Sequence, residues 1–122
     1  MSKVNEIVFN MDYIGKVLSV NHFKYGLTIY TRKEVKTWME VLGWRIKASH
    51  IEEWRLPLKV RCDGIFKNRA AQPDLSNLSK VILDAIEETT GVNDRDMRWE
   101  DGDVSYGPPM LWITISEAKG EL

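Results

Sequence analysis

Apolar residues recur along this chain with two different periods. In Ile7–Met11 (IVFNM), β-branched and aromatic residues crowd together as they do in a strand. GLTIYT, entered through Gly26, reads as a second short strand. The period then lengthens. Val35, Trp38, Met39, Leu42 and Ile46 fall three or four positions apart, just after Thr31, a residue type that caps helix starts. That spacing predicts a helix from Arg32 to about Ser49. LPLKVRCDGIFK returns to alternation, with Leu58, Val60 and Cys62 interleaved with Lys59, Arg61 and Asp63, and Pro57 near its start. After the polar loop KNRAAQP, Pro73 opens a second helix, from Asp74 or Leu75 to about Thr89, closed by Gly91. Leu75, Leu78, Val81, Ile82, Ala85 and Ile86 form its apolar side; Ser76, Asn77, Lys80, Asp84 and Glu87 form the other. VNDRDMRWEDGDVSYGPP reads as a long acidic loop or a mixture of loop and strand. MLWITIS is a closing strand. The order β-β-α-β-α-β predicts an α/β (α+β) chain, a single mixed β-sheet with two main helices buried against it.

Composition narrows the class. The 122 residues suffice for one domain, taken as residues 1–122, and 43% hydrophobic with 29% charged residues is the balance of a globular chain. No apolar run approaches the ~20 residues of a membrane-spanning helix. The first residues, MSKVNEIVFN, lack the basic, apolar and small-residue succession of a signal peptide. The expected compartment is therefore the cytoplasm, with no membrane partner. Cys62 is the single cysteine, which excludes an internal disulfide and a thiolate zinc cluster. It reads as a buried strand thiol. His50 reads as a helix-end residue.

Net charge is −1, but it is unevenly spread: Lys16–Arg69 holds 12 Lys/Arg against 5 Asp/Glu, and Ala70–Leu122 holds 4 against 11. Such a chain can set a basic surface around an acidic centre, as nucleic-acid enzymes with metal sites do, or the two halves can neutralise each other.

The segment richest in chemistry is PDLSNLSKVILDAIEETTGVNDRDM. Asp74 stands at a loop-to-helix junction, Asn77 and Lys80 follow on the exposed side, and Asp94 and Asp96 come after the helix. Two carboxylates from separated segments can chelate a hard cation such as Mg²⁺ or Mn²⁺. A lysine beside them can complement charge on a phosphoryl group. The same residues also fit ordinary helix decoration.

VLSVNHFKYG followed by TIYTRKEVKTW, then VRCDGIFKNRAAQPDLSNLSKVILDAI, GVNDRDM and LWITI, together resemble the RusA-like Holliday junction resolvase family over nearly the whole chain. The resemblance implies a RusA-like fold and a metal-dependent endonuclease of DNA recombination and repair, using Mg²⁺ or Mn²⁺. It would act as a homodimer making paired symmetric nicks in four-way junction DNA, in a bacterial or phage-infected cell. By resemblance Asp74, Lys80 and Asp94 are catalytic, and Asp74, Asp94 and Asp96 hold the metal. Asn77, Ser76 and Asn21 support the site. Lys67, Arg69, Lys33 and Lys36 contact DNA. Ser76 stands where the family has a second motif aspartate, so Asp96, or Asp63 on the preceding strand, would supply the lost carboxylate. The alternative is a protein that binds branched DNA with weak or no cleavage.

Overall fold

The computed structural model describes residues 5–18, 22–25, 28–31 and 33–118. In chain order they form β1 (Glu6–Met11), β2 (His22–Tyr25), β3 (Thr28–Thr31), α1 (Lys33–Lys47), β4 (Leu58–Phe66), α2 (Ser79–Thr90), β5 (Met97–Tyr106) and β6 (Met110–Glu117). The strands form two sheets, where the sequence suggested one. A four-stranded sheet has the order β1-β6-β4-β5, and β2 and β3 pair only with each other as an antiparallel hairpin. The larger sheet is mixed: β4 runs parallel to β5 and antiparallel to β6, and β1 is antiparallel to β6.

The helices form where the periodicity places them. Along α1, Val35, Trp38, Met39, Leu42 and Ile46 are buried, and the Trp38 indole N–H donates to the carbonyl of Asp12 (2.7 Å), tying the helix to the end of β1. The second predicted helix begins as a 3-10 turn, Leu75–Leu78, and becomes α-helical only at Ser79. It buries Val81, Ile82, Ala85 and Ile86. Fully burying side chains of this kind stabilises the fold by about 1.5–3 kcal/mol each. Gly91 ends the helix at φ +80°, a left-handed conformation that only glycine adopts without strain, and its N–H bonds the carbonyl of Glu87.

Alternation along β4 is strict. Leu58, Val60, Cys62, Gly64 and Phe66 are buried, and the residues between them are half-exposed. They join Leu111, Ile113 and Ile115 of β6 and the buried faces of both helices in one core. Among the described residues no helix covers the opposite face of the sheet, as antiparallel and mixed sheets allow.

The main departure from the sequence reading is β5. The acidic segment that reads as a loop or a mixture of loop and strand contains a ten-residue edge strand, paired with β4 from Leu58↔Met97 to Phe66↔Tyr106 with an irregularity between Cys62 and Gly64. An edge strand beside an uncovered face has few positions to bury, so its polar composition conceals it. The acidic residues also blunt the exposed edge against pairing with another chain.

Candidate functional site

Because β4 and β5 are parallel neighbours, their side chains divide between two faces in register. Arg61 pairs with Glu100 on the uncovered face, and Cys62 pairs with Asp101 on the helix side. The two faces handle charge differently.

On the uncovered face Arg61 is the hub. Its guanidinium donates to Asp63 (3.0 Å), Glu100 (2.8 Å) and Asp103 (3.2 Å), and Lys59 reaches Glu100 at 2.8 Å. The Asp63 carboxylate also accepts from the backbone N–H of Asp103 (2.7 Å). Burial alone would raise the Asp63 carboxyl, but the bonds from Arg61 and Asp103 and the charge of Arg61 outweigh it and hold the group below its ordinary range. Glu100 is lowered by its hydrogen bond from Lys59, against some burial, and by the charges of Lys59 and Arg61. The acids on this face are therefore committed to cations of the chain. Asp63 is not available to replace a missing ligand elsewhere.

On the helix side, a cleft of about 500 Å³ opens between β5 and the segment that follows β4. Its walls are Arg69, Gln72, Pro73, Asp74 and Leu75 on one side and Asp101, Gly102 and Val104 on the other. Local chemistry fixes both walls. Asn68 caps the 3-10 turn Arg69–Ala71 by accepting from the Ala71 N–H (2.9 Å). Asp74 caps the next turn, accepting from the Ser76 N–H (3.2 Å) and hydroxyl (2.9 Å). The Tyr106 hydroxyl donates to the Gln72 side-chain oxygen (2.6 Å), and the Trp99 indole N–H donates to Asp101 (2.6 Å). Both Asp74 and Asp101 are exposed, and among the described residues neither is in an ion pair.

Gly102 lets the two faces approach each other. A Cβ there would meet the Asp63 carboxylate and the Cys62 carbonyl oxygen, the latter at 2.7 Å.

The structure separates the acids that the sequence grouped. Asp96 immediately precedes Met97, which pairs with Leu58 at the start of β4, and Asp94 lies one turn earlier. Leu75, beside Asp74, packs at the level of Gly64, six residues further along β4. At ~3.3 Å per residue these two levels of β4 are about 20 Å apart along the strand. The helix carries the chain to the foot of the sheet, and β5 then climbs back, so the acid that lines the cleft with Asp74 is Asp101. Among the described residues no three-acid group contains Asp74, Asp94 or Asp96; the group that does form is His50, Glu52 and Glu53.

The other candidates are dispersed. Lys80 is exposed on α2 and pairs with Asp84 (3.1 Å) one turn on. Asn77 and Ser76 are exposed in the turn before α2. Lys67, Arg69, Lys33 and Lys36 are exposed, but Arg69 lines the cleft whereas Lys33 lines a different concavity. Asn21 lies outside the described residues. That other concavity is larger, about 930 Å³, and is an apolar trough between the end of β1 and α1, floored by Met11, Ile14, Val17, Trp38 and Val41. Asp12, Lys33, Glu34 and Arg45 also line it. The sequence reading missed Asp101, Gln72 and Arg61; the residue-by-residue alternation that continues through WEDGDVSY was the available signal.

No family model matches the chain, and no curated protein matches it. Among solved structures, it is similar to the periplasmic domain of MotB from Helicobacter pylori, at 12% identity over 98% of this chain and 90% of that one, with a TM-score of 0.47.

These findings correct the resemblance. No family model and no curated protein supports it, and the carboxylates that would hold the resolvase metal lie on separate segments, Asp74 beside the cleft and Asp94 and Asp96 before the start of β5. The RusA-like family, the RusA-like fold, and the endonuclease and junction-resolving activity are withdrawn. The statements that hung on them go too: enzyme action, the branched or four-way DNA partner with or without cleavage, the homodimer, and the cytoplasm of a bacterial or phage-infected cell. No described helix is long and apolar enough to cross a membrane.

Proposed function

We propose that this chain is a binding domain whose cleft takes a divalent cation, Mg²⁺ or Mn²⁺, through Asp74 and Asp101. One observation carries the reading: two exposed carboxylates from separate segments line one cleft, and among the described residues neither is in an ion pair. Carboxylate oxygens are the hard ligands such ions take. Mg²⁺ in particular keeps several waters and is held by one or two carboxylates together with an anionic ligand, commonly a phosphate. Arg69, on the same cleft wall, supplies the planar donor fork that recognises such an anion. The domain thus binds a phosphate-type ligand through the ion, without chemistry on it.

Calorimetric titration of the full chain with Mn²⁺ tests the reading. One equivalent is expected, lost in both Asp74→Asn and Asp101→Asn. Arg69→Ala is expected to leave binding of the ion alone unchanged and to weaken cation-dependent binding of inorganic phosphate. Unaltered Mn²⁺ binding in either aspartate variant contradicts the site.

A further inference from the structure

A second group of metal-ligand residues lies away from the cleft, in the turn after α1. His50, Glu52 and Glu53 each offer a donor atom, and all three atoms lie within 4.8 Å of one another. The His50 Nδ1 stands 3.5 Å from an oxygen of Glu52 and 3.6 Å from an oxygen of Glu53. These separations are too long for charge-assisted hydrogen bonds, which close to about 2.7–2.9 Å. They are close to two edges of a metal-coordination tetrahedron, and the two carboxylate oxygens lie within 4.8 Å of each other. Zinc bonds nitrogen and carboxylate oxygen at about 2.0–2.1 Å, and a tetrahedron of that size has edges of about 3.4 Å.

We propose that His50 Nδ1 and one carboxylate oxygen from each of Glu52 and Glu53 form a site for Zn²⁺, an ion that such a donor set holds far more tightly than Mn²⁺. The donor set suits that ion, because imidazole nitrogen selects transition ions over Mg²⁺ while the carboxylates neutralise their charge. The turn is held in place from below: Ile51 is fully buried between the ligands, and the Glu53 and Trp54 N–H groups bond the carbonyls of His50 and Ile51 at 2.9 Å each. All three side chains face solvent, so water completes the fourth position. The site is independent of the Asp74–Asp101 cleft and differs from it in ligand chemistry.

The test is titration of the full chain with Zn²⁺ in excess Mg²⁺, which occupies oxygen-only sites. Expected is one equivalent per chain, weakened more than about tenfold in His50→Asn and in the double variant Glu52→Gln/Glu53→Gln, since even an outer partner of a zinc ligand changes affinity by that much. Asparagine tolerates the left-handed backbone of residue 50 (φ 50°) and removes the imidazole. A variant-free readout accompanies it: Zn²⁺ should shift the His50 ring signals of the wild-type chain and leave the Gly102 amide in place. Absence of saturable binding, equal binding in either variant, or unshifted His50 signals would overturn the proposal.

Discussion

The two faces of the β4–β5 pair use nearly the same residue types to opposite ends. On the uncovered face, Asp63, Glu100 and Asp103 surround Arg61, with Lys59 closing the network. On the helix side, Asp101 and Asp74 line a cleft, and among the described residues neither is in an ion pair. Acid density is similar on the two sides, so it does not locate a binding site. The distinguishing feature is whether the charge is already answered within the chain. A network whose carboxylates are bonded to arginine and lysine is structural; a carboxylate pair left to solvent is open to a ligand.

The largest expected effect comes from forcing the two faces apart at Gly102. Gly102→Val places a side chain against the Asp63 carboxylate and the Cys62 carbonyl, and should cost about 1–3 kcal/mol in urea unfolding. It should also disturb the cleft, which Gly102 lines.

Removing the hub separates the faces more cleanly. Arg61→Met leaves three carboxylates without their shared cation, so the urea midpoint should fall at low ionic strength and the difference should narrow with added salt. The pH dependence has a definite sign. The Asp63 carboxyl is lowered in the folded chain, so its contribution is complete above the unfolded value of about 3.9 and is lost as pH falls through the lower folded value. In Arg61→Met that acid limb should flatten, while Mn²⁺ binding in the cleft is retained. Loss of Mn²⁺ binding in this variant would show that the two faces are not separable.

Cys62 is buried in the core on the helix side. Burial first, then the charges of Asp63 and Asp101, push its thiol up to about 12. A thiol reagent near neutral pH should therefore leave it unmodified in the folded chain and react once the chain is unfolded in urea.

The smallest effect on stability is expected where the effect on binding is largest. Asp74→Asn and Asp101→Asn keep the hydrogen-bond acceptors of the turn and of Trp99, and should change unfolding by no more than about 0.5 kcal/mol.

Legibility in the sequence follows the same division. Both helices and β4 were readable because each buries one face against the core and so shows its period: Val35 to Ile46, Val81 to Ile86, Leu58 to Phe66. β5 was not, because an edge strand on an open face leaves every residue of Arg98–Ser105 exposed or half-buried and its charges read as loop. β2 belongs to a hairpin outside the main sheet and left no core pattern. For the site, Asp74 stood out at its turn, but its partner was set by long-range register. Asp94 and Asp96 were nearer in sequence and chemically equivalent. Only the parallel pairing of β5 with β4 shows that the chain must climb five residues past Asp96 before an acid lines the cleft with Asp74.

That choice of partner is the central claim, and paramagnetic broadening of backbone amides by Mn²⁺ tests it most directly. The account predicts that the amides of Ser76 and Gly102 broaden first, with those of Arg95 and Asp96 unaffected at the same Mn²⁺ concentration. Broadening that begins at Arg95 and Asp96 and spares Gly102 would contradict it.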